Sequence, residues 1–225
     1  MSVPSFYPRM RPLSLVFDWD NTLVDTWLTC YEAMNQTLTS YGHAPYTPER
    51  FSTQPHRSLR ESFPEIFKEK AQDAERFFYT LIHGNHLDTL RPLPGAEKLL
   101  QWAVRQGIYL AIVSNKAGDL LRKEVAYLGW SAYFQKIIGS YDTHEDKPSH
   151  IPLWAALEKG PSEPGHGVWF AGDSCVDIQC AKNGGCVPVA MGEHAAKPQD
   201  AVVWGRDCIH LHQLLLSLPV RERAA

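Results

Sequence analysis

The chain has 225 residues, of which 44% are hydrophobic and 21% are charged, and its formal net charge is −3. This composition is typical of a globular protein with a sizeable core, and the charge balance argues against a nucleic acid or an anionic membrane as partner. The first twelve residues lack the apolar run of a signal peptide or a membrane span. We therefore expect a cytoplasmic protein.

The five cysteines form an odd set without the regular spacing of a disulfide framework. Buried, reduced thiols are the expected state, and no Cys-x-x-Cys motif supports a redox role. The ten histidines form no pair at zinc-ligand spacing with cysteines, which argues against a structural zinc site.

The first strong element is an apolar run over Leu13–Phe17 that ends directly in Asp18 and Asp20. Such a run is typical of a strand buried on both faces of a parallel sheet. Further strands are predicted at Ile108–Val113, Phe134–Gly139, Gly167–Ala171 and Val187–Ala190, with a weak edge candidate at Ala201–Trp204. Because helix-length segments separate these runs, the sequence predicts an α/β protein with a parallel sheet.

Residues 25–90 have helical periodicity and no strand candidate. We predict a helix over Thr26–Ser40, a capping box at Ser58–Glu61 that opens a short helical turn before Pro64, and an amphipathic helix over Glu65–Leu87. Residues 91–95 form a rigid return connection. The predicted organisation is a catalytic core of residues 1–24 and 91–225, with an all-helical domain of residues 25–90 inserted into it.

Polar side chains follow nearly every confident strand, and the carboxyl ends of parallel strands meet at one edge of a sheet. The residues concerned are Asp18, Asp20, Ser114, Asn115, Lys147, Asp173 and Asp177. Taken singly, several have simpler explanations: Ser114 could cap a helix, Lys147 could be a solvated lysine, and Asp173 could belong to a turn. Those explanations do not account for the combination.

The combination points to phosphoryl chemistry. Carboxylates from separate strands repel each other unless a cation joins them, and oxygen ligands favour Mg²⁺. A lysine, a hydroxyl and helix N-terminal amides suit the oxygens of a phosphoryl group. Asp18 can then form an aspartyl-phosphate, and Asp20 can protonate the leaving oxygen and later accept a proton from water.

Four segments, in this order, resemble the haloacid dehalogenase superfamily in its phosphoglycolate-phosphatase-like branch. They are Asp18–Leu23, Ser114, Lys147-Pro148, and Gly172–Ser174 with Asp177. The match extends from about Leu13 to Ala190, and the helical insertion falls where that branch carries its mobile cap.

The resemblance implies a Rossmann-like three-layer core with a helical cap, and Mg²⁺-dependent hydrolysis of a small phosphorylated metabolite, a phosphate monoester. It implies that Asp18 is the nucleophile and Asp20 the acid and base. The implied metal ligands are the carboxylates of Asp18 and Asp173 and the backbone carbonyl of Asp20.

The resemblance further implies that Ser114, Asn115 and Lys147 hold the phosphoryl group, with Asp177 as an outer partner of the metal or the lysine. The chain departs from the family at Asn21, where many relatives have glycine. Because asparagine tolerates unusual backbone angles, we expect the turn to survive.

Other reactions and roles are compatible with parts of the pattern. In a dehalogenase, Asp20 and Asp173 would have no purpose, and a phosphonate hydrolase should lack Asp20. A phosphomutase shares every core residue and stays open. A catalytically retired binding or scaffold module, from a different class, should have lost a catalytic group, and none is lost.

Substrate selection is expected to depend on the inserted helices. Our hypothesis is that Arg57 or Arg60 reaches an anionic or hydroxylated part of the substrate, although a solvated basic patch explains both residues equally well. Oligomeric state, monomer or homodimer, is left undetermined, because Trp130, Tyr133 and Phe134 suit either the core or a small interface.

Overall fold

The computed structural model of the protein describes residues 8–54, 57–192 and 203–220. Within these ranges the strands are β1 (Ser14–Phe17), β2 (Val24–Asp25), β3 (Arg91–Pro92), β4 (Tyr109–Ala117), β5 (Lys136–Ser140), β6 (Val168–Gly172), β7 (Val187–Met191) and β8 (Val203–Gly205). Six of them form one parallel sheet in the order β5-β4-β1-β6-β7-β8. The weak candidate at Ala201–Trp204 is β8, although its first two residues lie outside the described ranges.

The helices of the described residues are α1 (Trp27–Ser40), α2 (Pro48–Ser52), α3 (Leu59–Phe67), α4 (Ala71–Thr89), α5 (Ala96–Arg105), α6 (Gly118–Tyr127), α7 (Ile151–Leu157), α8 (Cys175–Asn183) and α9 (Cys208–Ser217). In this part of the chain no helix is both long enough and apolar enough to cross a bilayer.

The sheet lies between two helical layers. Leu15 and Phe17 of β1 belong to a buried cluster shared with α5, α6 and α9, whereas Val16 belongs to a second cluster shared with α7 and α8. Successive side chains of a strand point to opposite faces, so β1 contributes to both clusters. This arrangement confirms the predicted α/β class with a three-layer core.

The strand order places a switch point at β1. This strand pairs with β4 on one side and β6 on the other, so the chain builds the sheet outward in both directions from it. In open α/β sheets, ligands bind in the crevice beyond the carboxyl ends of the strands at such a point. Asp18 and Asp173 directly follow β1 and β6, at that edge.

The helices α1, α3 and α4 pack on each other in a separate hydrophobic cluster, to which α6 of the core contributes Leu120. Phe63 packs edge-on against Phe67 and Phe78, with ring centroids 4.8 and 6.0 Å apart. The helical content agrees with a cap, whereas the division of the chain into two domains stays a prediction.

Two local predictions for the inserted helices are wrong. The predicted helix Glu65–Leu87 is two helices: α3 runs through Pro64, and α4 starts only after Lys68, which has a φ of 53°, and a 3₁₀ turn at residues 68–70. The predicted capping box is absent because the Ser58 hydroxyl is buried and has no hydrogen-bond partner among the described residues.

The two-stranded antiparallel sheet of β2 and β3 was not predicted. Val24 pairs with Pro92 and Asp25 with Arg91, so the chain leaves for the inserted helices and returns from them side by side. The expectation that residues 25–90 contain no strand is therefore wrong at Asp25. Two-residue strands carry no periodicity, and only the pairing of distant segments reveals them.

The turn after β1 has the geometry expected for its residues. Asn21 has a φ of 58°, as the tolerance of asparagine for this region predicts. Trp19 is fully buried and packs edge-on against Trp130, with ring centroids 5.9 Å apart. Trp130 and Phe134 are both in the core cluster, which favours the core explanation over an interface.

Candidate active site

A cavity of about 190 Å³ lies between the carboxyl edge of the sheet and the inserted helices. The predicted site residues on its wall are Asp18, Asp20, Ser114, Asn115, Lys147, Asp173 and Arg57. Residues that are up to 155 positions apart in the chain, Asp18 and Asp173, thus meet at one site, as the parallel sheet predicts.

Lys147 bridges two acids at the base of the cavity. Its Nζ donates to Asp18 Oδ1 and to Asp177 Oδ1, each at 2.6 Å. All three side chains are buried. Although burial lowers the pKa of Lys147, the Asp177 and Asp18 carboxylates raise it above its usual range, so the ammonium stays charged.

Asp177 is fixed by the start of α8. Ser174 Oγ and the Ser174 backbone N–H donate to Asp177 Oδ2 at 2.6 and 3.0 Å, and the Asp177 backbone N–H donates back to Ser174 Oγ at 3.4 Å. This is a capping box, in which two helix N-terminal groups are satisfied reciprocally. The box leaves Asp177 Oδ1 for Lys147 and so places the lysine beside Asp18.

Three carboxylates are crowded together. One oxygen of each of Asp18, Asp173 and Asp177 lies within 4.8 Å of the others. Burial, and then the charges of Asp18 and Asp177, raise the pKa of Asp173 well above its usual value. Burial also raises the pKa of Asp18, to about 7, despite the opposing effect of Lys147. A cation would relieve this repulsion, so the residues fit a divalent metal.

Asn115 and Ser114 lie in the last, irregular part of β4, where the register with β5 shifts. Asn115 Nδ2 donates to the Lys147 carbonyl at 3.1 Å, and its Oδ1 accepts from the Lys147 N–H at 3.0 Å. The Asn115 side chain therefore positions the backbone of the lysine. Ser114 is buried, and its Oγ accepts from the Lys116 N–H at 3.3 Å.

Asp20 is held by two donors on one oxygen. Thr26 Oγ1 donates to Asp20 Oδ1 at 2.7 Å, and Lys116 Nζ donates to the same oxygen at 2.6 Å. About 24% of the Asp20 side chain is exposed, against 8% for Asp18. Asp18 and Asp20 thus differ in solvent exposure and in their hydrogen-bond partners.

The residues that support Asp20 were missed by the sequence analysis. Lys116 Nζ also donates to Glu124 Oε2 at 2.7 Å, and Trp19 Nε1 donates to the same oxygen at 2.6 Å. Glu124 Oε1 lies 3.0 Å from Nδ1 of His86, which belongs to α4. This buried group, Trp19, His86, Lys116 and Glu124, is called the Glu124 network below.

A signal for Glu124 was present in the sequence. It stands three residues after Leu121 and four before Leu128, on the apolar face of α6. An acid on the buried face of a helix is rare unless it is paired. The partners, by contrast, come from distant segments, and no local pattern identifies them.

The two arginines of the substrate hypothesis are placed differently. Arg57 lines the cavity, and its Nη1 and Nη2 donate to Glu65 Oε1 and Oε2 at 2.9 and 2.5 Å. Arg60 Nε and Nη1 instead donate to Asp146 Oδ2 at 3.0 Å and to the Thr143 carbonyl at 3.2 Å. Arg60 thus ties α3 to the loop that precedes Lys147.

Comparison with known proteins agrees with this fold. The model of the haloacid dehalogenase-like hydrolase family matches residues 15–191. The chain therefore belongs to the haloacid dehalogenase-like hydrolase family, which confirms the resemblance and the enzyme class expected from it.

Two curated relatives are phosphoglycolate phosphatases. The protein from Xylella fastidiosa (strain 9a5c) is 29% identical over 213 residues, which cover 92% of this chain and 93% of that protein. The protein from Aquifex aeolicus (strain VF5) is 28% identical over 175 residues, covering 76% and 80%. The chain is thus a phosphatase-like member of the family.

Solved structures agree with the family and the fold. A HAD-superfamily hydrolase from Ehrlichia chaffeensis is 30% identical and has a TM-score of 0.65, with 93% of this chain and 98% of that chain covered. A hydrolase from Pseudomonas syringae has a TM-score of 0.79 over 92% and 99% of the two chains. At 19% identity, this second likeness shows the fold alone.

Proposed function

We propose that the protein is a cytoplasmic, Mg²⁺-dependent phosphatase that hydrolyses a small phosphorylated metabolite, a phosphate monoester, through an aspartyl-phosphate on Asp18. The observation that carries the proposal is the contact of Lys147 Nζ with Asp18 Oδ1 at 2.6 Å in a buried site shared with Asp173. A nucleophilic carboxylate, a fixed cation and a metal-binding acid are the groups that this reaction needs.

Asp18 attacks phosphorus, and the ester oxygen leaves. Lys147 stays charged throughout and lies beside the attacking carboxylate, so it can neutralise charge on the phosphoryl oxygens. Ser114 lines the same cavity and offers a hydroxyl to these oxygens. Asn115 contributes by holding the backbone of Lys147, and its predicted contact with the phosphoryl group remains part of the proposal.

Asp20 acts first as general acid and then as general base. In the first step its carboxyl group gives a proton to the leaving oxygen, and in the second step the resulting carboxylate takes a proton from the water that attacks the aspartyl-phosphate. Its position on the wall of the cavity, two residues after Asp18, suits both steps.

The carboxylates of Asp18 and Asp173, with the backbone carbonyl of Asp20, would hold Mg²⁺. The metal would supply positive charge next to the phosphoryl group and would relieve the repulsion between the crowded acids. Asp177 accepts hydrogen bonds from Ser174 and Lys147, so its role in the site is to position the lysine.

The first test is hydrolysis of p-nitrophenyl phosphate with and without Mg²⁺. We expect turnover that requires Mg²⁺ and falls by about a thousandfold or more in Asp18→Asn, because the amide is not a nucleophile. Asp119→Asn is the matched control, since this exposed residue of α6 lies outside the cavity. Retained turnover in Asp18→Asn would refute the nucleophile assignment.

The second test separates hydrolysis from transfer. Because the curated relatives are phosphoglycolate phosphatases, phosphoglycolate belongs in a panel of phosphorylated metabolites. A hydrolase releases inorganic phosphate from a good substrate, whereas a phosphomutase would move the phosphoryl group within the substrate without releasing phosphate. We expect release of phosphate.

A further inference from the structure

We propose, building on the phosphatase function above, that the cavity favours phosphate monoesters with an uncharged, apolar alcohol over monoesters that carry a second anionic group, such as phosphoglycolate. The proposal concerns the part of the cavity that the inserted helices form. There the leaving alcohol would lie, because the nucleophile, the lysine and the acids occupy the opposite wall.

The wall formed by the inserted helices is largely apolar. Four helices of the insertion contribute to it, and their large apolar residues are Met34 of α1, Phe51 of α2, Leu59 and Ile66 of α3, and Phe78 and Ile82 of α4. From the core side, α6 adds Leu120. A mostly apolar wall opposite a few convergent polar groups is typical of a site for a small, mainly apolar ligand group.

Some of the apolar side chains on this wall are still partly exposed. Phe78 and Ile82 are almost fully buried and form the core of the insertion. Met34, Leu59 and Ile66 are only half-buried, although they pack against the same cluster. An apolar alcohol that covers these three side chains would gain the free energy of removing both surfaces from water.

The basic side chains on the cavity wall already have acidic partners. Lys147 contacts Asp18 and Asp177, and Lys116 contacts Asp20 and Glu124. Both lysines are therefore already paired with carboxylates of the protein. A second anionic group of the substrate would have to compete with these carboxylates for either lysine.

Arg57, in the connection between α2 and α3, is the basic residue that the described part of the insertion contributes to this wall, and it is paired with Glu65. The two carboxylate oxygens of Glu65 accept from both Nη groups of Arg57, the geometry that a substrate carboxylate would need. The other polar residues that the insertion contributes to the cavity wall include the neutral Gln54 and Ser62. A substrate carboxylate would thus have to displace Glu65.

A matched pair of substrates tests the preference. Pentyl phosphate and 4-(phosphonooxy)butanoate have similar length and a similar ester bond, and they differ in the carboxylate at the far end. We expect kcat/KM for pentyl phosphate to be higher by about tenfold or more. Along ethyl, propyl and butyl phosphate we expect a rise of about fourfold per methylene. A higher kcat/KM for the carboxylate ester, or for phosphoglycolate, would overturn the proposal.

Variants test whether residues of this wall cause the substrate preference. Met34→Gln keeps the length of the side chain and makes it polar, so we expect the advantage of pentyl phosphate to fall. Leu28→Gln is the control on the same helix, because Leu28 is 58% exposed and lies outside the cavity. In Glu65→Gln, Arg57 is released, and we expect kcat/KM for the carboxylate ester to rise. Changes of the opposite sign would contradict the proposal.

Binding gives a readout that does not depend on turnover. Pentylphosphonate and 4-phosphonobutanoate, titrated calorimetrically into the native protein with Mg²⁺, should bind with the alkyl compound tighter and with a negative heat-capacity change, the mark of apolar burial. If no phosphomonoester is hydrolysed, the proposed function fails. The binding comparison still tests whether the apolar wall prefers an alkyl group to a carboxylate. Tighter binding of the carboxylate compound would overturn the inference while leaving the phosphatase function intact.

Discussion

Gly172, the last residue of β6, leaves room for Asp177, the acid that holds Lys147. A Cβ at this position would collide with the side chain of Asp177. Asp177 in turn places Lys147 beside Asp18. Because Gly172 has no side chain, Asp177 can take the position from which it holds Lys147 beside Asp18.

This contact predicts the effect of Gly172→Ala. Since the methyl group must displace Asp177, we expect a loss of about 1–3 kcal/mol in unfolding free energy and a fall of roughly ten- to a hundredfold in kcat through misplacement of Lys147. Urea denaturation and steady-state kinetics measure the two effects. Gly84→Ala is the control, because a Cβ there meets nothing within 4 Å. Wild-type kcat in Gly172→Ala would show that this contact does not position the lysine.

The cysteines give a second prediction at this scale. All five are free thiols; Cys175 is exposed, whereas Cys180, Cys186 and Cys208 are buried. Burial raises the pKa of Cys180 to about 12, of Cys186 to about 11 and of Cys208 to about 12.

We therefore expect iodoacetamide at about pH 8 to alkylate Cys175 first and these three thiols only on unfolding, because the thiolate is the reactive form. Mass spectrometry of the peptides against time checks the order. Early alkylation of Cys180 would show that this thiol is accessible in the folded protein.

At the scale of elements, α6 connects the core to the inserted helices. Its Glu124 contacts Lys116 of β4, Trp19 of the turn after β1 and His86 of α4. One buried carboxylate therefore joins four segments of the chain, and through Lys116 it reaches Asp20. Such a group stabilises the protein only while its partners remain in place.

Removing the charge of Glu124 should destabilise the protein. In Glu124→Gln the buried Lys116 loses one of its two carboxylates, and we expect a decrease of about 3 kcal/mol in unfolding free energy. Glu158→Gln is the control: Glu158 pairs with Lys136 at 3.6 Å on the surface, and its side chain is 65% exposed. For this pair we expect a change below about 1 kcal/mol. Equal losses in the two variants would contradict the importance of the Glu124 network.

At the scale of the whole molecule, the crowded acids predict that binding of the proposed Mg²⁺ depends on pH. Burial raises the pKa of Asp18 from its ordinary value of 3.8 to about 7. Without metal, between about pH 4 and about pH 7, the Asp18 carboxyl group of the folded protein holds a proton that the same group in the unfolded chain has lost. This contribution to stability is complete below about pH 4 and disappears as the pH rises through about 7. Mg²⁺ bound by Asp18 would need the deprotonated carboxylate, so it would compete with this proton.

We therefore expect Mg²⁺ to raise Tm more at about pH 8 than at about pH 6. Differential scanning calorimetry with and without a few millimolar MgCl₂ at each pH measures the difference. Asp173→Asn should show little Mg²⁺-dependent shift at either pH, because it removes a proposed ligand. The same shift at both pH values in the native protein would argue against Asp18 as a metal ligand.

Much of this organisation followed from local patterns. The apolar run before Asp18, the alternation of strands and helices, and the polar residues at strand ends are each written within a few positions of the chain. A parallel sheet then has only one edge at which Asp18, Lys147 and Asp173 can meet, so their proximity could be predicted without coordinates.

The errors occurred where distant segments decide the local structure. Helix α3 buries Phe63 and Phe67 in the helical cluster and ends at Lys68, where φ is 53°. The pairing of Val24 with Pro92 joins residues 68 positions apart. Local propensity is a weak guide at such points because tertiary contacts outweigh it.

The sequence by itself determined the α/β core, the edge that carries the site and the acids at that edge, because hydrophobic periodicity and strand-end chemistry are local properties. Only the tertiary structure decided that Asn115 holds the backbone of Lys147, that Lys116 holds Asp20, and that Glu65 occupies Arg57. These pairings depend on where each side chain meets its partner in space, and the energy of a buried or bidentate polar contact is set by that meeting.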